Sequence, residues 1–331
     1  MDEAPSNMMR AAFYRSFGDA REVLEVGIVD RPMPGQGEVR IKISVSAVNP
    51  TDWKARRGSR PMQFPFVIPH QDGAGVIDEV GEGVDQSRVG QEVWVYFATA
   101  GRQFGTAAEY SVVPTERAVQ LPEGVGFDLG ACMGVPAMTA HYALFSDGPI
   151  DGSTVLVAGG AGAVGHYAIE LAKDSGARVI TTVSGPEKAA LAVAAGADVV
   201  VNYKDGDAVE AIKAVAPDGV DRIVEVAFGA NAALDTAVLA PHGTMICYSK
   251  DAVDPVLNVV PLMFGNHNLR FMMLYDVGEE ALTAAVSGIT DALSRGALSE
   301  LPFHRFKLDD TVAAQEAVEE QVVGKVLIDI A

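Results

Sequence analysis

The chain has 331 residues, 49% of them hydrophobic, and its 25 Lys and Arg residues against 44 Asp and Glu residues give a net charge of −19. That length and composition suffice for a large core and about two domains. The acidic balance opposes binding to nucleic acid and to anionic membrane surfaces. No apolar run reaches the roughly 18 to 20 residues of a membrane span, and no cationic segment followed by an apolar one opens the chain. We therefore expect a cytoplasmic protein that binds no membrane, with Cys132 and Cys247 as packed thiols.

Roughly the first 130 residues alternate β-branched runs with glycine and proline clusters, which predicts strands separated by irregular loops. The prolines between Pro32 and Pro69 have a fixed φ and no N–H, so they suit loops and break helices. We predict a mostly β, partly closed sheet here. Its strands are predicted at Val39–Val48, Gly73–Val80, Glu92–Tyr96 and Tyr110–Val113.

From about Gly134 the pattern changes to strands that alternate with alanine-rich helices. This alternation is typical of right-handed βαβ crossovers and predicts an α/β unit with a doubly wound parallel sheet. Its strands are predicted at Thr154–Ala158, Arg178–Val183, Val199–Val201, Arg222–Val226 and Thr244–Tyr248. The helices between them are predicted at Ala163–Ser175, Pro186–Ala195, Asp207–Val215 and Asn231–Leu239.

The alternation stops after about Pro261. A helix at Thr283–Arg295, an apolar segment at Val312–Val318 and a strand at Lys325–Ile330 follow. We expect these pieces to return to the β-rich part. The predicted domains are therefore residues 1–133, completed by 266–331, and residues 134–265.

A glycine-rich turn joins the first strand of the second domain to its first helix. Ser153–Gly165 reads STVLVAGGAGAVG, so the strand runs directly into Gly160-x-Gly162-x-x-Gly165. Glycine permits a tight turn and close approach of the backbone to a pyrophosphate, while the helix N-terminus offers free N–H groups to the anion. In this strand-to-helix context the pattern predicts a dinucleotide site. We assign cofactor contacts to Gly160, Ala161, Gly162, Ala163, Val164 and Gly165.

The second strand of this unit ends without the carboxylate that holds the ribose 2′-hydroxyl in NAD-selective sites. That place reads Thr182-Val183-Ser184-Gly185, and Lys188 follows in the first turn of the next helix, where an ammonium can meet a 2′-phosphate. Ser184 can donate to the same phosphate, and Tyr203 can pack beside the adenosine. The pattern favours NADPH, with Glu187 beside Lys188 as a counter-indication.

Several further sequence motifs, taken together with the glycine turn, form a pattern that extends along the chain. They are Ala47-Val48-Asn49-Pro50-Thr51-Asp52, Asp72-Gly73-Ala74-Gly75-Val76-Ile77 with Val80-Gly81, Gly105-Thr106-Ala107-Ala108-Glu109-Tyr110, Met138-Thr139-Ala140, Gly196-Ala197-Asp198 with Asn202-Tyr203, and Gly324-Lys325. In this order, over nearly the whole chain, they resemble the medium-chain dehydrogenase/reductase superfamily, specifically its zinc-independent quinone oxidoreductase branch, the zeta-crystallin-like enzymes.

The resemblance implies a Rossmann domain with a doubly wound parallel sheet, a GroES-like mostly β catalytic domain, NADPH as cofactor and usually a homodimer. It also implies that no metal is bound. Zinc-dependent relatives carry a Cys where this chain has Asn49, a His-Glu pair where it has Gln71-Asp72, and a four-Cys lobe for which two cysteines do not suffice. His70 lies one place from the ligand position, so we interpret it as a loop residue.

The implied reaction transfers a hydride from NADPH to a quinone or an α,β-unsaturated carbonyl, and the oxyanion formed then takes a proton. Asn49 is our first candidate for a donor to that oxyanion, since its amide does not titrate. Asp52 is expected to orient Asn49 or a loop amide, unless it makes an ordinary cap. The substrate pocket is assigned to Trp53, Phe271 and Lys54, the last at a position where related enzymes often carry tyrosine. Further cofactor contacts are assigned to Thr139, Phe228, Tyr248, Ser249 and Lys325.

The sequence leaves three functions open. They are an NADPH-dependent quinone reductase, an NADPH-dependent enone or enoyl-thioester (alkenal) reductase, and a catalytically weak NADPH-binding protein. A coenzyme A thioester needs basic groups for its phosphates, which Arg56, Arg57 and Arg60 can supply. No side chain stands out as the proton donor.

Overall fold

The computed structural model describes residues 7–250 and 254–330. Its strands are β1 Met8–Phe13, β2 Glu25–Asp30, β3 Glu38–Val48, β4 Asp72–Val80, β5 Glu92–Val95, β6 Tyr110–Pro114, β7 Ala118–Gln120, β8 Thr154–Ala158, β9 Arg178–Val183, β10 Val199–Asn202, β11 Val220–Glu225, β12 Leu239–Cys247, β13 Asn268–Phe271, β14 Phe303–Lys307 and β15 Lys325–Asp329. Its α-helices are α1 Ala20–Val23, α2 Pro50–Lys54, α3 Phe127–Gly130, α4 Met138–Phe145, α5 Ala163–Asp174, α6 Pro186–Ala194, α7 Ala208–Val215, α8 Phe228–Val238, α9 Val259–Gly265, α10 Glu279–Ser294 and α11 Thr311–Glu319. Short π- or 3-10-type turns lie at Ala55–Ser59, Gln86–Arg88, Thr115–Arg117, Met133–Ala137, Leu274–Asp276 and Leu308–Asp310.

The described chain divides into two compact units. The first unit runs to Val135 and resumes at Glu300, and the second comprises Pro136–Ser299. Among the described residues, no helix combines the length and the apolar character that crossing a membrane requires.

The first unit is mostly β, as predicted. Its main sheet has the order β14-β15-β3-β4-β5-β7, with β6 also paired to β3, and β1 pairs separately with β2. All these pairs are antiparallel except β14 with β15. β-branched residues fit a pleated, buried surface, and Ile41, Ile43 and Ile77 on β3 and β4 are at most 1% exposed. They belong to the core that holds the sheet together.

The second unit contains a parallel sheet of order β10-β9-β8-β11-β12-β13. Counted from β8, this is the order 3-2-1-4-5-6 of the doubly wound nucleotide-binding fold. The apolar run of β8 is buried from Val155 to Ala158, as expected where helices cover both faces of a sheet. The predicted Rossmann architecture is confirmed, and the predicted bounds of β8 and β9 are those observed.

The second predicted domain boundary is wrong. Residues 266–299 do not complete the β-rich unit, because β13 pairs in parallel with β12, in a register that sets Cys247 opposite Phe271. Helix α10 likewise belongs to the second unit, where it packs against α4. Only the chain from Glu300 onward returns to the first unit, where it supplies β14, α11 and β15.

Candidate functional site

The glycine turn follows β8 and leads into α5, as the sequence predicts. A Cβ on Gly160 would lie 2.1 Å from Thr181 Oγ1, and one on Gly165 would lie 2.3 Å from the carbonyl oxygen of Gly159. A Cβ on Gly162 would instead make only an ordinary contact, 3.4 Å from the Gly159 oxygen. Gly160 and Gly165 are therefore required for packing, whereas Gly162 leaves the exposed side of the turn open to a ligand.

Helix α5 begins in a form suited to an anion. Gly162 is its N-cap residue and offers no side chain to the N–H groups of the first turn. Ala163 and Val164 are partly exposed, whereas Ala161 is buried. None of these side chains carries a hydrogen-bonding group, so all three can contact an anion only through the backbone. Unsatisfied N–H groups and the helix dipole together favour a phosphate at this position.

The carboxyl end of β9 carries the residues assigned to the adenosine end of the cofactor. Ser184 directly follows β9, and Lys188 is the third residue of α6. The backbone N–H of Tyr203 donates to the carbonyl of Val183 at 3.1 Å, so the exposed Tyr203 side chain starts beside the end of β9. None of the ion pairs among the described residues includes Lys188. Its ammonium is therefore available to an anionic ligand.

The neighbouring strand ends bring two aromatic rings together. Phe228 begins α8 after β11, Phe271 ends β13, and their ring centroids lie 5.4 Å apart in an edge-on arrangement. Phe228 is buried and Phe271 is 64% exposed. Tyr248 follows β12, and its N–H donates to the Glu225 carbonyl at 3.1 Å. Burial raises the pKa of the Tyr248 hydroxyl, so this side chain stays neutral.

Two other residues assigned to the cofactor occupy different surroundings in the second unit. Thr139 is buried in the first turn of α4, and so it does not lie at a strand end. Ser249 is half-buried after β12, and its carbonyl accepts a hydrogen bond from Cys247 Sγ at 3.4 Å. Their contact with a cofactor stays a prediction.

The first unit contains a buried polar cluster around Asn49. Helix α2 begins immediately after Asn49, and the Asp52 carboxylate accepts the Asn49 backbone N–H at 2.7 Å and the Gln71 backbone N–H at 3.2 Å. Asp52 therefore closes a capping box and fixes a loop amide at the same time. Both interpretations that the sequence leaves open are thus seen, an ordinary helix cap and a hydrogen bond to a loop amide, and a catalytic role for Asp52 stays a prediction.

The side-chain amide of Asn49 is held at both ends. Its Nδ2 donates to Asp72 Oδ2 at 2.7 Å, and its Oδ1 accepts from Lys325 Nζ at 2.5 Å. Lys325 Nζ also donates to the Val48 carbonyl at 3.0 Å, and Asp72 Oδ2 accepts the Val135 N–H at 2.8 Å. Asn49, Asp72 and Lys325 are all at most 3% exposed. Sequence reasoning had assigned Lys325 to the cofactor and had not connected it with Asn49.

Burial controls the charges in this cluster. The pKa of Asp52 is raised to about 7, mainly by loss of hydration and in part by the nearby Asp72 charge, while hydrogen bonds and the Lys325 ammonium act in the opposite direction. Burial also raises the pKa of Asp72 to about 6 against the same ammonium. The cluster therefore holds two carboxyl groups with one cation, and both carboxyls titrate close to neutral pH.

His70 is a hydrogen-bonded loop residue, as the sequence suggests. Its Nδ1 lies 3.0 Å from Ser46 Oγ, and its Nε2 lies 3.2 Å from Gln315 Nε2. Because Gln315 Oε1 accepts from Arg56 Nε at 2.7 Å, its amide nitrogen faces His70 and donates to it. Burial and the Lys325 charge lower the pKa of His70 to about 3, so the ring is neutral.

These side chains do not fit a zinc ion. Both His70 nitrogens have hydrogen-bond partners, Asn49 offers an amide oxygen and no thiolate, and that oxygen already accepts a hydrogen bond from the Lys325 ammonium. Within residues 7–250 and 254–330, no three His, Cys, Asp or Glu side chains are grouped as metal ligands. Catalytic zinc needs three such ligands.

The residues after Asn49 differ in burial and in their partners, and the assignment of Trp53 and Lys54 to a substrate pocket stays a prediction. The Trp53 indole N–H is buried without an acceptor, and the Lys54 ammonium lies 5.6 Å from the Trp53 ring centroid. Arg56 is fully buried and pairs with Glu319, while Arg57 pairs with Glu319 at 2.9 Å and with Asp19 at 2.8 Å. The expectation that Arg56 and Arg57 are available to the phosphates of coenzyme A is therefore wrong.

Comparison with known proteins agrees with this geometry. Residues 35–123 match the alcohol dehydrogenase GroES-like domain, and residues 163–290 match the zinc-binding dehydrogenase domain. The chloroplast envelope quinone oxidoreductase homolog of Arabidopsis thaliana is 32% identical over 249 residues, which are 72% of this chain and 74% of that protein. The quinone oxidoreductase of Rattus norvegicus is 33% identical over 72% of each protein. The chain belongs to the quinone oxidoreductase family.

A solved structure extends this family relationship to the whole chain. A mycobacterial protein in complex with NADPH is 27% identical, with a TM-score of 0.84, over 97% of this chain and 99% of that one. The predicted membership of the medium-chain dehydrogenase/reductase superfamily is thus confirmed. As a quinone oxidoreductase family member, the chain is an oxidoreductase with a GroES-like domain and a nucleotide-binding domain.

Proposed function

We propose that this protein is a zinc-independent reductase that transfers a hydride from NADPH to a quinone. The observation that carries the proposal is the Gly159–Gly165 turn, whose open side at Gly162 precedes an uncapped helix N-terminus. The quinone oxidoreductase relatives and the NADPH complex of the mycobacterial structure support the same reaction. NADPH supplies the hydride, and the protein binds, orients and stabilises charge.

Selectivity for the phosphorylated cofactor is assigned to Lys188 and Ser184. Ser184 and Gly185, not a carboxylate, directly follow β9, and Lys188 is not engaged in an ion pair among the described residues, although Glu187 lies beside it in the chain. A charge-assisted hydrogen bond to phosphate contributes roughly 1.5 to 3 kcal/mol. We therefore expect K188A to weaken NADPH binding by about 10-fold or more while leaving NADH binding nearly unchanged.

The Lys188 experiment has a matched control. Lys213 is exposed and, like the half-buried Lys188, lies on a helix of the second unit, in the last turn of α7. K213A should bind both cofactors as the wild type does. Equal losses of NADPH and NADH affinity in K188A would contradict the assigned phosphate contact.

Asn49 is assigned to the acceptor's oxygen. Hydride transfer to a carbon conjugated with a carbonyl leaves negative charge on that oxygen, and a fixed N–H donor stabilises it. Asn49 Nδ2 carries two hydrogens and gives one to Asp72, which leaves the other for the acceptor. We propose solvent as the source of the final proton.

One observation favours quinones over enoyl thioesters. Arg56 and Arg57 are held by Glu319 and Asp19, so neither is available to the phosphates of coenzyme A. NADPH oxidation measured in parallel with a simple quinone, an alkyl enone and an enoyl thioester should be fastest with the quinone. Turnover of the thioester alone would favour the alternative reductase, and binding without turnover on all three would favour a catalytically weak NADPH-binding protein. Stoichiometric zinc in a metal assay would contradict zinc independence.

We also propose that the protein is a homodimer joined at the β13 edge of the second unit. In the described chain β13 pairs only with β12, so its other edge presents free backbone groups. Exposed apolar side chains precede and follow β13 in the chain, with Met263 73%, Phe264 86% and Met273 58% exposed. Light scattering should give the mass of two chains for the wild type and of one chain for F264D. A monomeric wild type would contradict the proposal.

Cytoplasmic localisation stays a prediction from the sequence.

A further inference from the structure

Sheet register places two opposite charges on either side of Asn49. Strand β3 ends one residue before Asn49 and lies between β15 and β4. Val326 on β15 is paired with Val48, so Lys325 lies beside Asn49 on one side. Asp72 on β4 is paired with Ala47, so it lies close to Asn49 on the other side. The backbone thus brings an ammonium and a carboxylate to opposite ends of one amide.

Each neighbour can serve only one end of that amide. An ammonium has three donors and no acceptor, and an ionised carboxylate has acceptors only. Lys325 therefore binds the amide oxygen, at 2.5 Å, and Asp72 binds the amide nitrogen, at 2.7 Å. A half-turn of the amide would set its N–H group against the ammonium and its oxygen against the carboxylate. Only one orientation of Asn49 satisfies both neighbours.

Further contacts fix the two neighbours themselves. Lys325 Nζ also donates to the Val48 carbonyl at 3.0 Å, and Asp72 also accepts the Val135 N–H at 2.8 Å. The buried Asp72 Oδ1 faces Gly134, where a Cβ would come within 2.0 Å of it. The Asp72 carboxylate therefore has little room to rotate, and the direction of its bond to Asn49 is set by the backbone around it.

We propose that Lys325 and Asp72 are positioning residues that lock the Asn49 amide in the orientation that aims its second N–H at the acceptor's oxygen. Lys325 then supplies a fixed buried cation next to the donor residue, in a cluster whose side chains do not fit a metal ion. The proposal rests on the function proposed for Asn49. It assigns Lys325 to Asn49 rather than to direct contact with the cofactor.

Kinetics of K325M, N49A and the double variant test this assignment. Methionine keeps an unbranched side chain but removes the ammonium. Without that cation the pKa of the buried Asp72 rises, and a protonated carboxyl can donate to the Asn49 oxygen as well as accept from its nitrogen, so the amide can turn. We expect kcat with benzoquinone to fall by about 10-fold or more, the cost of a misoriented group, with KM nearly unchanged. In the N49A background, K325M should change kcat by less than about two-fold, since both changes remove the same donor. Independent effects of the two substitutions would overturn the proposal.

NADPH binding separates positioning from direct cofactor contact. If Lys325 acts through Asn49, the Kd of K325M for NADPH stays within about two-fold of the wild-type value. A rise of about 10-fold, the size expected for loss of a charged hydrogen bond to the cofactor, would overturn the proposal. Ile328, three residues after Lys325 on β15 and fully buried, provides a control. I328V lowers core stability without touching the cluster, and its kcat should equal the wild-type value.

Crystal structures provide a readout that does not depend on turnover. In K325M the Asn49 amide should turn or adopt two orientations, whereas an amide that keeps its bond to Asp72 unchanged would overturn the proposal. If K325M does not fold, D72N serves in the same kinetic cycle and the same crystallography. Its amide can donate to Asn49 or accept from it, so only the Lys325 contact still favours one orientation, and a smaller fall in kcat is expected. If the wild type reduces no quinone, the proposed function fails, and the crystal structures still decide whether Lys325 and Asp72 set the orientation of Asn49.

Discussion

Each unit buries a pair of carboxyl groups, and the two pairs differ in the hydrogen-bond donors and cations around them. In the first unit, Asp52 accepts two backbone N–H groups, and Asp72 accepts a backbone N–H and the Asn49 amide, with the Lys325 ammonium nearby. In the second unit, Glu225 and Asp235 are at most 1% exposed, and no ion pair among the described residues includes either. The first pair thus has donors and a cation, and the second has no cation.

The second pair is also unequal within itself. Glu225 accepts hydrogen bonds from the Ala227 N–H and from Asn231 Nδ2, the latter at 3.1 Å. No N–H group donates to either oxygen of Asp235, whose carboxyl instead shares a hydrogen bond with that of Glu225. Burial raises the pKa of both carboxyls, and the Glu225 charge raises that of Asp235 further. The comparison teaches that a buried carboxylate with donors organises a site, whereas one without them retains a proton.

The largest loss of stability is expected from a substitution at Gly134, which lies against the buried Asp72 carboxylate of the first unit. G134A would place a Cβ 2.0 Å from Asp72 Oδ1. Overpacking of this kind costs typically about 1 to 3 kcal/mol. We expect G134A to lie near the upper end, because Asp72 is fully buried and its other oxygen is held by Asn49 and by the Val135 N–H. Urea unfolding measures this loss in the free energy of unfolding. G126A is the control, since a Cβ there meets nothing within 4 Å and its φ of −75° suits alanine. Equal stability of the two variants would show that Asp72 is not held tightly.

A smaller loss is expected from removing the acceptor in the first unit. D52A leaves the buried N–H groups of Asn49 and Gln71 without an acceptor, and relief of the buried charge offsets part of that cost. We expect a loss of about 2 kcal/mol in the free energy of unfolding at neutral pH. D52N keeps one acceptor and should lose less. A D52A variant as stable as the wild type would mean that these hydrogen bonds contribute nothing net.

The sequence predicts the fold far better than it predicts these clusters. Long apolar runs such as Thr154–Ala158 identify buried parallel strands, and the glycine turn identifies the phosphate-binding end of the sheet. Edge strands were missed, because β13 has only four residues, reads NLRF and is partly exposed on one edge of the sheet. That omission produced the incorrect boundary at residue 266.

The candidate site, too, is only partly predictable from the sequence. Asn49 and Asp52 lie three residues apart, so their local relationship is visible in the sequence. Their contacts with Asp72 and Lys325 depend on strand register across β15, β3 and β4, which local pattern does not encode. Arg56 and Arg57 were expected to be available cations for the same reason, because their acidic partner Glu319 lies far along the chain.

The smallest change in stability is expected from D235N in the second unit, and this substitution should stabilise the protein. D235N removes an acid whose folded pKa lies well above the unfolded value of about 3.9, so the folded state binds this proton more tightly than the unfolded chain does. The wild type therefore loses stability as pH rises from the unfolded pKa through the folded one. D235N lacks that loss, and we expect it to be more stable by about 1 kcal/mol at about pH 8, with a smaller advantage at about pH 6. The uncharged neighbours Cys247 and Tyr248, whose pKa values burial raises, do not reverse the sign. D218N, on an exposed carboxylate, is the control, and a destabilised D235N would show that the buried charge has a donor after all.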